Sequence, residues 1–126
     1  MSHFVTIQTQ IRDVEALQEA CTELGLGLQQ NAHARGFLKA QRHGDYVIRL
    51  KGPYDIAANG DESSGSYGLT TDWWDGHVER EVGADYSRLL QLYAVHKTIR
   101  EAQKKRLTVT RQQEHNGSIK LILGGL

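Results

Sequence analysis

Two stretches of this chain carry apolar residues at helical spacing, whereas the opening residues alternate with period two and further short segments between turn signals read as strands, six or seven in all. Two helices cannot cover both faces of a sheet that large, so the sequence calls for an α+β fold. The expected form is a mostly antiparallel sheet of six or seven strands, with both helices packed on one face and the other face partly open. The first helix follows Val14, Leu17, Cys21 and Leu24, with Asp13 as its N-cap and Gly25 as its stop. The second follows Leu89, Leu92, Val95 or His96, Ile99 and Ala102 over about residues 85–105, with Asp85 as its expected cap. Strands are expected at 2–11, 28–34, 46–50, 54–58, 67–74, 107–110 and 118–123, the last two joined across Asn116-Gly117. The basic segment 35–44 shows no clear period.

At 126 residues the chain is expected to form a single domain, 1–126, with a core large enough to need no staple. Its one cysteine, Cys21, excludes an intrachain disulfide, suits a reducing cytoplasmic setting and lies in the apolar stripe of the first helix. No secretory signal is visible, and no apolar run reaches the roughly 20 residues that a membrane-spanning helix needs. Net charge is zero but blocked along the chain. Five basic residues stand against Asp45 in 31–52, eight acidic residues against Arg80 in 53–85, and seven basic residues against Glu101 in 86–111. Such blocks either form patches that steer partners or neutralise one another on folding.

No catalytic signature is present. The six histidines are scattered, none lies three or four residues from another, and there is no Cys-x-x-Cys. Neither a metal set, a cofactor nor a catalytic residue is therefore expected, and the reading leans away from an enzyme. Trp73-Trp74 is the feature that points outward. On a strand, adjacent side chains take opposite faces. By parity Trp73 groups with Leu69 and Thr71, and Trp74 with Thr70 and Asp72. Trp74 is the first choice of outward contact, with Trp73 the alternative because a one-residue bulge exchanges the two roles. Tyr54, Tyr67, Arg49 and Lys51 on neighbouring strands complete the candidate binding set.

Three functions follow from these residues. The first is a non-catalytic binding or adaptor protein for a protein partner, with Arg49 and Lys51 as rim charges. The second is RNA binding through the basic loop Arg35–His43 and the sheet aromatics. The third is a small enzyme using groups such as His77 with Asp72 or Asp75. An unpaired edge strand also makes a homodimer an open alternative.

Met1-Ser2-His3-Phe4, Thr6 to Ile11, Tyr54-Asp55-Ile56, Asp72-Trp73-Trp74, Gln91-Leu92-Tyr93-Ala94 and Gly117 to Leu121 occur in this order along nearly the whole chain. This combination resembles an uncharacterised family of cyanobacteria and algal plastids, named after hypothetical chloroplast open reading frame thirty-five. The resemblance implies a cytoplasmic or stromal setting in a photosynthetic cell, or in a virus that infects one. It implies no activity, cofactor or catalytic residue.

Overall fold

The computed structural model describes residues 3–125. The expected strand start at Ser2 and the motif residues Met1-Ser2 lie outside the described residues. A five-stranded antiparallel sheet has the order β1-β5-β4-β3-β2, built from β1 (Phe4–Gln8), β2 (Gly27–Arg35), β3 (Gln41–Arg49), β4 (Ile56–Gly60) and β5 (Tyr67–Asp72). Strands β6 (Thr108–Gln113) and β7 (Ile119–Gly124) pair only with each other, as a separate ribbon. All seven expected strands are present, in antiparallel sheets of five and two, and the fold is α+β. The ribbon stays apart because its sequence gives it a docking site elsewhere. Arg111 on β6 makes a two-pronged ion pair with Glu23, at 2.9 and 2.7 Å, and Ile119 on β7 packs on the core.

Helix α1 (Val14–Glu23) begins as its sequence predicts, with Asp13 Oδ1 accepting the Ala16 N–H at 3.1 Å. A short helix, α2 (Glu79–Val82), precedes the long α3 (Ser87–Lys104). Asp85 does not cap α3. Asp85 and Tyr86 have φ of 53° and 63°, and no side chain caps the helix. The reversal pivots on Gly83, whose φ of 85° and tight packing under Ser87 exclude a side chain. Leu17, Ala20 and Cys21 of α1 and Leu89 and Leu92 of α3 bury against Ile48, Ile56, Ala58 and Leu69 of the sheet. Arg100 of α3 ties the two helices by pairing with Asp13, Glu15 and Glu19. Burial pushes the Cys21 thiol up to about 12, the behaviour of a core residue and not of a nucleophile.

The second face of the sheet is not simply open. Strands β2 and β3 form one hairpin, paired from Gly27↔Arg49 to Arg35↔Gln41, but β3 pairs with β4 only over Tyr46–Ile48. Beyond Asn31, where φ turns positive at 51°, the outer half of the hairpin leaves the sheet. It folds across the face away from the helices, where Ala34 buries against Val47 and Ala57. Gly36 lies so close under the Phe4 ring of β1 that a Cβ there would collide with it, and the Arg42 guanidinium sits 4.6 Å above the same ring.

One carboxylate latches this crossing. Asp55, fully buried, accepts the Arg35 N–H (3.0 Å), Arg35 Nε (2.8 Å) and Nη2 (2.8 Å), Arg49 Nη1 (2.7 Å) and the Leu50 N–H (3.2 Å). Burial alone would raise its pKa. The hydrogen bonds from Arg35, Arg49 and Leu50 outweigh that and hold the carboxyl below the usual carboxylate range.

Candidate aromatic interface at the hairpin tip

The folded-over hairpin brings its tip to the end of β5. The strand stops at Asp72, one residue before the tandem tryptophans, and a tight turn carries Trp74 through Gly76. Of the two alternatives left open for the indoles, the structure takes the one that exposes Trp74. Trp73 points into the helix side, edge-on to Tyr86 at 4.8 Å, and is half-buried. Trp74 turns out and is 48% exposed. It stacks on His3 (centroids 5.1 Å apart, planes 13° apart) and lies 5.4 Å from Phe37, which is itself 5.5 Å from His3. The three rings thus form a closed triangle assembled from the chain start, the hairpin tip and the end of β5.

Asp72 builds that triangle. It is fully buried, and it accepts the backbone N–H groups of all three ring-bearing residues: Phe37 at 2.9 Å and His3 at 3.4 Å on Oδ2, and Trp74 at 2.9 Å on Oδ1. A carboxylate can accept on both oxygens, so one side chain fixes three segments far apart in sequence. Next to Phe37, Leu38 and Lys39 take φ of 52° and 65°, and Leu38 is 75% exposed. A bulky side chain held out in a left-handed turn costs free energy, of order 1–3 kcal/mol. Such strain clusters where a loop is shaped for a contact.

The other residues singled out in the sequence are placed apart from this triangle. Arg49 is engaged by Asp55, by Gln29 (2.8 Å) and by the His33 carbonyl (2.7 Å). The backbone N–H of Lys51 donates to Glu81 at 2.7 Å, and its ammonium lies over the Gly25 turn. Tyr54 is buried, with His77 edge-on at 5.3 Å, and Tyr67 packs edge-on to Tyr46 at 6.0 Å. The cations that do flank the tip are Lys39 and Arg42, both exposed. The aromatic side chains suggested for stacking RNA bases are therefore dispersed between core and surface. For the enzyme reading, His77 Nε2 stands 3.7 Å from Asp75 Oδ2, while both oxygens of Asp72 are occupied by backbone donors.

Sequence reading missed Phe37, Leu38 and the role of Asp72. The available signal was the pair Phe37-Leu38, an apolar step inside an otherwise basic segment without period. His3 joins the exposed stack.

Comparison with known proteins agrees with the sequence motifs. A family model described as "Protein of unknown function (DUF1257)" matches residues 20–122. The "Uncharacterized protein ycf35" of Pyropia yezoensis is 34% identical over 127 residues, covering 98% of this chain and 96% of that protein. No solved structure matches. Residues 20–122 contain the Asp55 latch, the hairpin tip and Asp72 with Trp74, and on the strength of both matches the chain belongs to the DUF1257 family of ycf35-like proteins.

Proposed function

We propose that this chain is a non-catalytic binding protein that engages a protein partner in photosynthetic cells through the His3–Phe37–Trp74 surface. The observation that carries the reading is Asp72. A buried carboxylate holding three separate backbone segments, so that their rings meet at the surface, is organisation beyond what core packing needs. Rigid rings with a polar edge give large contact area at small entropy cost, which is why indoles dominate binding hot spots. Leu38 adds apolar area beside them, and Lys39 and Arg42 supply flanking positive charge that raises the encounter rate.

Affinity capture from a photosynthetic host tests this, with the tag at the C-terminus because His3 belongs to the surface. The expected result is a defined partner that survives nuclease and is lost with Trp74→Ala. Capture unchanged by that substitution would refute the surface, and RNA recovered in place of protein would refute the partner class.

A further inference from the structure

We propose that His33 and His43 form a two-point chelate for a borderline divalent cation of the zinc(II), copper(II) or nickel(II) type. The sequence places the two ten residues apart, at no metal-ligand spacing. The hairpin register sets them directly opposite each other on β2 and β3. Their ring centroids are 5.6 Å apart with planes at 73°, and both side chains are exposed. With metal–nitrogen bonds of about 2.0–2.1 Å and a tetrahedral angle, two imidazoles on one ion place their centroids about 5 Å apart. The observed centroid separation is within about an ångström of that value, and rotation of the two exposed rings would turn a nitrogen of each towards a shared ion.

A second contact prepares His43. Its Nε2 lies 2.8 Å from Asn31 Oδ1, so with the amide oxygen towards the ring Nε2 carries the proton and Nδ1 keeps the lone pair. Asn31 is the residue whose positive φ starts the hairpin's departure from the sheet, and so the same residue bends the strand and orients the ligand. Of the two cations on the strand, Arg42 beside His43 lies over the Phe4 ring, and Arg49 donates to the His33 carbonyl but is matched by Asp55, which limits its repulsion of a metal ion. Among the described residues no group of three or more His, Cys, Asp and Glu side chains gathers, so water would complete the coordination. A bound ion would clamp β2 to β3 midway between the sheet and the tip that carries Phe37.

Calorimetric titration with zinc chloride tests the chelate on the full chain, alongside His33→Asn, His43→Asn and a control, His115→Asn, on the far ribbon. The expected result is one zinc per chain, weakened roughly tenfold or more in each of the first two variants and unchanged in the third. Zinc should also raise the wild-type Tm, reversibly with a chelator. Both histidines are exposed, so matching Tm values without metal verify that the variants fold. Absence of binding by the wild type, or equal binding by His33→Asn, would overturn the proposal. So would an equal loss in His115→Asn.

Discussion

Replacing Asp55 by alanine should weaken the fold more than its position in a short turn suggests. The carboxylate is fully buried and accepts five hydrogen bonds, three from guanidinium nitrogens and two from backbone N–H groups. Removing one partner from a buried ion pair costs about 3–5 kcal/mol, because the remaining charge loses its counterpart. Here the two arginine side chains are 48% and 31% exposed, so both can turn to water, and the ionic loss belongs at the lower end, about 3 kcal/mol. The Leu50 N–H has no such escape, and leaving it unpaired adds about 1 kcal/mol. The sum, about 4 kcal/mol, corresponds to a Tm lower by about 15 °C at an unfolding entropy of about 2 cal/mol/K per residue. Because the folded carboxyl is held below its ordinary 3.8, its stabilisation is complete above that pH and is lost as acid carries it through the lower folded value. Urea unfolding at neutral pH and through the acid range measures both effects: the variant should be weaker at neutral pH and should lack this part of the acid dependence. A loss below about 1 kcal/mol, within the range of exposed ion pairs, would refute the view that Asp55 latches the hairpin to the sheet.

Other substitutions test separate parts of the structure. Tyr86→Phe should stabilise the protein by about 1 kcal/mol, seen as a rise in Tm of about 4 °C, because the Tyr86 hydroxyl is buried without a hydrogen-bond partner among the described residues; a fall in Tm would show the hydroxyl to be satisfied. Trp74→Ala should cost about 2 kcal/mol, since about half of the indole is buried, on the order of 100 Å², while abolishing partner capture. Gly83→Ala should cost about 2 kcal/mol or more in denaturant unfolding, because φ is 85° and a Cβ would stand 2.5 Å from Ser87 Oγ and 2.9 Å from the Arg88 nitrogen. Glu23 is held down at about 2, chiefly by the Arg111 hydrogen bond, against burial and with help from His96. The contribution of Glu23 is therefore complete above its ordinary 4.5 and lost towards pH 2, and Glu23→Gln should flatten stability over that range and loosen the ribbon in hydrogen exchange.

Local pattern in the sequence carried most of the elements. Parity on β5 separated the two indoles but left open which one faces out; the strand ends at Asp72, and the following turn exposes Trp74. Asp13 and the Asn116-Gly117 turn behaved as short-range chemistry dictates; Ser118 N–H donates to Asn116 Oδ1 at 3.0 Å, and Gly117 supplies the φ of 88°. What could not be read was whatever depends on partners distant in sequence. The folding back of the hairpin is set by Asp55 meeting Arg35 and by Gly36 meeting Phe4, neither of which leaves a periodic trace. Asp85 illustrates the same limit: its residue type suits a cap, but the turn after Gly83 puts Asp85 and Tyr86 at positive φ, and α3 starts without a side-chain cap. The candidate surface was half legible for this reason. That one of the two adjacent indoles faces out follows from the tandem pair, whereas which one it is and its assembly around Asp72 do not.

The pairing of β1 with β5 has a consequence for biosynthesis. Phe4 lies opposite Asp72, so the first strand leaves the ribosome long before its only neighbour in the sheet has been made. At about 5–20 residues per second, β1 waits several seconds with Ile7 uncovered. The hairpin tip cannot close either, since its anchor at Asp72 emerges last of the three segments it joins. The β2–β3 hairpin and α1 can form early from local contacts, whereas the sheet and the ring surface must close together once β5 arrives. Nascent chains stalled before that point should therefore be sensitive to protease in the first strand, and they would be natural clients for a chaperone.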